Sequence, residues 1–123
     1  MSSPSFESLR VWHLARQLTV RIYAVAGRDP FARDFGLRDQ IRRASISVMS
    51  TIAEGYERAN RKEFAHFLRI ARGSAAEIRA QLYAAEDLEY VDAATARQLR
   101  GEVLALSKQL AALANQLAQD AVR

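Results

Sequence analysis

The sequence contains no cysteine, only two prolines, five glycines and a single tryptophan in 123 residues. The absence of cysteine excludes a disulfide framework, a cysteine-ligated zinc site and a thiol nucleophile, and it is compatible with a reducing compartment. No run of apolar residues is long enough to span a membrane, and the N-terminal stretch lacks the apolar segment of a secretory signal. We therefore expect a cytoplasmic protein with no membrane partner.

The composition is that of a folded domain. Half of the residues are hydrophobic and 26% are charged, a balance that argues against disorder. A chain of this length can bury one core, so we predict a single domain over residues 1–123. The net charge of +4 is unevenly placed: residues 1–79 carry 14 Lys/Arg and 8 Asp/Glu, whereas residues 80–123 carry 4 and 6. A basic first part permits contact with nucleic acid or head-to-tail association of chains.

Four stretches show apolar residues at the 3.6-residue spacing of amphipathic helices. The predicted helices cover about residues 5–26, 37–58, 61–88 and 93–121. Because short connections join them, we predict an all-α fold, an antiparallel up-down-up-down four-helix bundle.

Local signals mark the ends of these helices. Gly27 is predicted to close the first helix in the left-handed conformation that glycine adopts readily. Phe31 and Phe35, in the loop that follows, are predicted to cover the end of the bundle. Asn60 and Asp92 are predicted to be the N-caps of the third and fourth helices.

The apolar faces of the first, second and fourth helices are wider than one core requires. We expect part of this surplus to be buried between copies of the chain. On the fourth helix, the inward stripe is predicted to pass through Leu113. The candidate subunit interface combines a second apolar set on the second helix with a flank on the fourth: Ile46, Met49, Ala53, Leu104, Ala111, Ala114 and Ala118.

Basic residues of the second and third predicted helices form a candidate nucleic-acid contact. Such cations can neutralise phosphates without reading the base sequence. Exposed aromatic residues do not interleave with them in the helical pattern, so base stacking is not expected. The members of this set are Arg38, Arg42, Arg43, Lys62, Arg69, Arg72 and Arg79.

No pattern for catalysis or metal binding is complete. Di-iron bundles need two Glu-x-x-His motifs, and this chain has one, Glu63 to His66. Since Phe64 and Phe67 are assigned to the core face, we expect His66 to point outward and Glu63 to serve the helix cap. The histidines offer no base for a serine nucleophile. We predict no enzyme activity, no metal and no other cofactor; Glu54 is either solvated or one half of an ion pair at a subunit contact.

Several runs of sequence carry a family resemblance over nearly the whole chain. They are FESLRVWHLARQL, FGLRDQIRRASISV, IAEGYER and KEFAHFLRIARGSAAEIRAQL. In this order and spacing they resemble the bacterial four-helix-bundle proteins encoded in intervening sequences of 23S ribosomal RNA genes. The chain departs from that pattern at Thr51, where the family usually has Asn before IAEG.

The resemblance implies a left-handed antiparallel four-helix bundle, a ring-shaped homopentamer, no enzymatic activity and no known cofactor. Related proteins are accessory factors of diversity-generating retroelements, in which a basic pentameric barrel binds the reverse transcriptase and nucleic acid. The expected partners are therefore further copies of the chain, and RNA or a nucleic-acid-binding protein. The alternative is a protein-interaction scaffold that binds no nucleic acid and whose positive charge only aids solubility.

Overall fold

The structure, a computed structural model, describes residues 5–58 and 60–121. Four long helices account for most of these residues, and short 3₁₀ turns precede the first two. The helices are α1 (Arg10–Ala26), α2 (Phe35–Glu57), α3 (Arg61–Asp87) and α4 (Ala93–Ala121). The predicted all-α four-helix fold is confirmed.

Consecutive helices run antiparallel, because residue numbers rise along one helix as they fall along its neighbour. Each helix packs most extensively on the helices adjacent to it in the chain, while α1 and α4 close the bundle through the sparsest contact. Between α1 and α2 the contacts that set these directions are Thr19–Ser45 and Tyr23–Arg42, and between α2 and α3 they are Gly55–Phe67 and Ser47–Ser74. Between α3 and α4 they are Arg72–Ser107 and Arg100–Glu86.

The core lies along the bundle axis and is built from the inward stripes of all four helices. Burial of each large aliphatic side chain stabilises the fold by about 1.5–3 kcal/mol relative to exposure. The largest fully buried aliphatic residues are Ile22, Ile41, Val48, Ile52, Leu68, Ile78, Leu82, Val103, Leu106 and Leu110.

The first helix begins later than predicted, at Arg10 and not near residue 5. A 3₁₀ turn over Phe6–Ser8 precedes it, and Leu9 has an extended backbone with φ −80° and ψ 126°. The Ser8 hydroxyl donates to the Ser5 carbonyl at 2.7 Å. Serine side chains compete in this way with helical hydrogen bonds, which explains the delayed start.

Gly27 ends α1 without the left-handed conformation that was predicted. Its φ is −87°, in the right-handed region. A β-carbon at this position would lie 3.1 Å from the Tyr23 carbonyl oxygen and 3.2 Å from Arg42 Nη2. Glycine therefore provides space for an arginine from α2 and not a special backbone angle.

The two phenylalanines of the α1–α2 loop have different environments. Phe31 is fully buried, as predicted, and stacks on Tyr90 with ring centroids 5.2 Å apart. Phe35 is 63% exposed, so the prediction that it covers the bundle end is wrong. The reason is that Asp34 caps α2 two residues earlier than expected, accepting from the Leu37 N–H at 3.1 Å, which places Phe35 in the outward-facing first turn.

Both predicted N-caps are confirmed. Asn60 Oδ1 accepts from the Glu63 N–H at 2.9 Å. Asp92 accepts from the Thr95 N–H and from the Thr95 hydroxyl, each at 2.8 Å. These two bonds favour the ionised form of Asp92 and hold the pKa of its carboxyl below its ordinary value.

A turn that contains no glycine ends α3. Glu89 adopts φ 62°, and the Tyr90 N–H donates to the Ala85 carbonyl at 2.9 Å, as in a Schellman motif. The Tyr90 hydroxyl in turn donates to Asp34 at 2.9 Å. This bond to a carboxylate raises the pKa of Tyr90. The loops at this end of the bundle are thereby tied together.

The inward stripe of α4 passes through Ala114 and not through Leu113. Ala114 is 1% exposed and belongs to the core, whereas Leu113 is half-buried at its edge. A 3.6-residue period admits either position after Leu110, and hydrophobicity alone favours the leucine. The prediction that Ala114 lies on an outer flank is therefore wrong.

Candidate nucleic-acid interface

Four cations predicted to contact nucleic acid lie on one outer face of α3. We name Lys62, Arg69, Arg72 and Arg79 the helix 3 ridge; their spacings of seven, three and seven residues place them on one side of the helix. The first three are exposed and Arg79 is half-buried. Within residues 5–58 and 60–121, no carboxylate lies within 4.0 Å of a ridge cation. The ridge is a strip of positive charge that the described residues do not neutralise.

The ridge borders α4. Arg72 Nε lies 3.5 Å from Ser107 Oγ, at the limit of a hydrogen bond. Arg61, one residue before Lys62, pairs with Asp120 of α4 at 3.2 Å. Positive charge near the start of α3 is therefore partly compensated, whereas the ridge further along the helix is not.

The second predicted group, on α2, is divided by the structure. Arg43 is exposed on the flank that faces α3, at a cleft it shares with Ser47, Ser74 and Glu77. Arg38 and Arg42 lie on the other flank, towards α1. Arg43 is thus the member of this group that lies closest to the side of the bundle formed by α3.

Arg38 is held by contacts within the chain. Its Nη1 donates to the Ala32 carbonyl at 3.0 Å, its Nε donates to Asp39 at 2.9 Å, and its guanidinium lies 4.7 Å from the centre of the Phe35 ring. These contacts fix the side chain at the start of α2. Its charge is shared with Asp39, whereas the charges of the ridge have no such partner among the described residues.

Arg42 reaches across to α1. Its Nη2 lies 3.4 Å from the Tyr23 carbonyl oxygen, and its guanidinium is 4.7 Å from the Tyr23 ring centre. Its Nε is buried and has no hydrogen-bond partner among the described residues. Packing against the ring keeps this cation next to an exposed aromatic surface.

Exposed aromatic rings are the feature that the sequence reading missed. Phe35, Tyr83 and Tyr23 are 63%, 56% and 40% exposed, and an arginine covers part of each ring. The pairing of Phe35 with Arg38 has an i, i+3 signal in the sequence. The pairing of Tyr23 with Arg42 has none, because it joins two helices.

The candidate subunit interface consists of two separate patches. Ile46 is 41% exposed and Leu104 is 38% exposed, while Met49, Ala53, Ala111 and Ala118 are half-buried. Ile46 lies one turn from Arg42 and so faces the α1 side of α2. Leu104 lies one turn from Arg100 and so faces the α3 side of α4. Ala114 belongs to the core and to neither patch. The two patches lie on opposite sides of the bundle.

The residues considered for catalysis are at the surface. His66 is exposed, as predicted, and His13 is exposed with Nε2 2.5 Å from the Glu7 carbonyl oxygen. Glu54 forms an exposed ion pair with Arg58 at 3.1 Å, one turn along the same helix. Among the described residues, no three His, Asp or Glu side chains are grouped as metal ligands. Of the four helices described, none is both apolar enough and long enough to cross a bilayer.

Comparisons with known proteins place this geometry in a family. A solved structure from Bacteroides thetaiotaomicron, a protein of unknown function from the S23 ribosomal protein family, is similar with a TM-score of 0.77. The two chains are 22% identical over 85% of this chain and 97% of the other, a level that shows a shared fold. Comparison with curated proteins gave no match. The family model described as 23S rRNA-intervening sequence protein matches residues 7–112, and the chain belongs to this family.

Proposed function

We propose that this protein is a non-enzymatic, self-assembling helical bundle of the cytoplasm that contacts RNA, or a nucleic-acid-bound partner, through its basic surface. The observation that carries the proposal is the helix 3 ridge, whose four cations have no carboxylate within ion-pair distance in the described residues. Unpaired cations in one line suit a row of phosphates. The family description refers to sequences that intervene in 23S rRNA, which makes structured ribosomal RNA the natural first probe.

The test is a titration of structured ribosomal RNA with the protein at salt concentrations from about 50 to 200 mM. Four phosphate contacts predict a slope of roughly −3 to −4 in a plot of log affinity against log salt, because each contact releases condensed counterions. Replacing Arg69, Arg72 and Arg79 with Gln should make this slope shallower by about 2–3 and weaken binding at low salt.

A matched control removes cations that the chain already neutralises. Arg33 and Arg58 are exposed and form surface ion pairs with Asp29 and Glu54. Replacing both with Gln should leave the salt slope nearly unchanged. No binding at low salt, binding that does not depend on salt, or an equal loss in the control would contradict the proposed RNA contact. Retained assembly without RNA binding would favour the scaffold alternative.

Self-assembly is the second part of the proposal. Ile46 and Leu104 are exposed apolar side chains on opposite sides of the bundle, so one patch of each copy can meet the other patch of the next copy and close a ring. Sedimentation should give a species of five chains, each of 13.8 kDa.

The assembly test uses substitutions that charge one patch at a time. Ile46→Lys or Leu104→Lys should release monomer, because a buried ammonium without a partner opposes association. Val20→Lys is the control, since Val20 is 66% exposed and belongs to neither patch. A wild-type monomer, or equal behaviour of all three variants, would contradict the ring.

A further inference from the structure

The α1–α2 side of the bundle carries two exposed rings, each in contact with an arginine. We name Tyr23, Phe35, Arg38 and Arg42 the aromatic strip. Phe35, Arg38 and Arg42 lie on one side of α2, and the seven residues from Phe35 to Arg42 correspond to about 10 Å along the helix. Tyr23 joins the strip from α1 at the level of Arg42. The two rings therefore lie on the same side of the bundle.

Each ring has one part covered and another part open. The guanidinium of Arg38 lies 4.7 Å from the Phe35 ring centre, and that of Arg42 lies 4.7 Å from the Tyr23 ring centre. Phe35 is nevertheless 63% exposed and Tyr23 40% exposed. A nucleobase can stack on an exposed ring that lies beside an arginine, since the cation polarises the ring and also attracts the phosphate chain.

We propose that the aromatic strip is a stacking platform for unpaired bases, an inference that rests on the proposed RNA contact. The ligand class is then single-stranded RNA segments. Paired bases in a helix hide their faces, and only loops, bulges and ends can place a base on a protein ring. The strip then selects segments with unpaired bases, and the helix 3 ridge, on the opposite side of the bundle where α3 borders α4, binds backbone phosphates elsewhere on the same RNA.

The charges beside the rings favour nucleic acid over an apolar protein partner. An apolar partner would have to desolvate both guanidinium groups, and in the part of the chain that the structure describes Arg42 has only the Tyr23 carbonyl to offset that cost. Arg42 is half-buried and has no carboxylate within ion-pair distance among the described residues, so those residues do not neutralise its charge. Arg38 shares its charge with Asp39 at 2.9 Å and acts by holding the Phe35 ring.

The experiment compares two labelled probes by fluorescence anisotropy at one salt concentration. The probes are a single-stranded oligoadenylate of roughly 12 nucleotides, within the range of single-strand sites, and a blunt RNA duplex of the same length. The double variant Tyr23→Leu/Phe35→Leu keeps apolar area but removes both π-faces. It should bind oligoadenylate about 5- to 100-fold more weakly, with an unchanged salt slope, and bind the duplex within about 2-fold of wild type.

Two further variants separate stacking from general effects. Tyr83→Leu removes an exposed ring that also lies under an arginine but outside the strip, and it should leave both affinities unchanged. Phe35→Trp, in a Trp12→Phe background, should retain oligoadenylate affinity and lose fluorescence when the base stacks. Thermal unfolding followed by circular dichroism should show all variants folded, because the substituted rings are partly exposed.

Several results would overturn the stacking platform. The first is an unchanged affinity of the double variant for oligoadenylate, and the second is an equal loss of affinity for duplex and single strand. The third is an equal loss of oligoadenylate affinity in Tyr83→Leu. The fourth is a change of assembly state in the double variant, which would show that the strip contacts a second copy of the chain. If the platform fails while the duplex still binds through the helix 3 ridge with a steep salt slope, the proposed RNA contact stands alone. If the wild type binds neither probe, both fail.

Discussion

Helix α4 packs between α3 and α1, and the two contacts are built differently. On the α3 side, Arg100 Nη1 donates to Glu86 Oε1 at 2.7 Å, and the guanidinium lies 4.0 Å from the Tyr83 ring centre. On the α1 side, Arg21 Nη1 and Glu102 Oε2 are 3.6 Å apart, beyond hydrogen-bond distance. A groove of about 220 Å³ remains between α1 and α4. One flank of α4 is closely packed and the other is loosely closed.

The α2–α3 contact resembles the close flank of α4. Gly55 allows the Phe67 side chain to lie against the backbone of α2, and Ser47 and Ser74 share a hydrogen bond at 3.0 Å. Both close contacts join helices connected by short loops, for which little chain entropy is lost on pairing. Helices α1 and α4 are farthest apart in the chain, so their contact closes the longest loop. The bundle is therefore a tight α2–α3–α4 unit to which α1 is attached mainly through α2.

The largest expected effect comes from Gly55→Ala, which attacks the tight unit directly. A β-carbon there would lie 2.5 Å from Phe67 Cβ and 3.2 Å from Phe64 Cδ1. Since Phe67 Cβ is fixed to its own backbone, the helices must move apart. We expect the free energy of unfolding to fall by about 1–3 kcal/mol, measured by urea denaturation.

Gly73→Ala is the matched control for this substitution. A β-carbon at Gly73 meets no atom within 4 Å, and alanine is the better helix former, so stability should rise by about 0.5–1 kcal/mol. If Gly55→Ala lowers stability no more than Gly73→Ala does, then α2 and α3 are not in close contact.

Arg100→Gln tests the close flank of α4. The Arg100 side chain is 14% exposed and that of Glu86 is 29% exposed. Removing the cation leaves a partly buried carboxylate with a weaker donor and also takes the guanidinium away from the Tyr83 ring. We expect a loss of about 1–2 kcal/mol in the free energy of unfolding. A loss of unfolding free energy below about 0.5 kcal/mol would show that this pair contributes no more than an ordinary surface ion pair.

Tyr90→Phe tests whether loop contacts compensate for the loose α1–α4 contact. The bond from Tyr90 to Asp34 joins the loop after α1 to the loop before α4. We expect a smaller loss of stability than for Arg100→Gln, together with several-fold faster amide hydrogen exchange at the end of α1 and the start of α4. Unchanged exchange there would show that the loops do not hold this end closed.

The same residue gives a pH dependence. The raised pKa of Tyr90 means that its contribution to stability is complete below the ordinary tyrosine pKa of 10.0 and is lost as pH rises through the higher value in the folded protein. In an absorbance titration of the four tyrosines, one should ionise late, and Tyr90→Phe should remove that step. Four tyrosines that ionise together would contradict the bond to Asp34.

The parts of this fold that the sequence predicts are those set by local chemistry. Asn60 and Asp92 cap helices through bonds to residues three positions away, and the four helices follow from the spacing of apolar residues. The end of α3 is different, because Glu89 occupies a left-handed position where glycine is usual. No composition signal marks that turn.

The candidate site was only partly predictable, because exposure depends on how each helix is rotated. Lys62 and Arg69 form a ridge that spacing predicts. Phe35 was assigned to the bundle end and is instead exposed, because Asp34 starts α2 early. The contact between Tyr23 and Arg42 joins residues of different helices, and Arg42 approaches over Gly27. One-dimensional periodicity does not encode such a contact.

The smallest expected effect belongs to the loose contact. Arg21 and Glu102 have side chains that are 48% and 31% exposed, and they are 3.6 Å apart. Glu102 Oε2 is buried and has no hydrogen-bond partner in the described ranges, but both side chains keep part of their surface in solvent. Such a long pair contributes little, because solvent screens the attraction and ordering two long side chains costs entropy. We expect Arg21→Gln to change the free energy of unfolding by less than about 0.5 kcal/mol, and a double-mutant cycle with Glu102→Gln to give a coupling of similar size. A coupling as large as the loss in Arg100→Gln would mean that α1 is held to α4 as firmly as α3 is. In that case the groove between α1 and α4 would not mark a weak contact, and the tight unit would include all four helices.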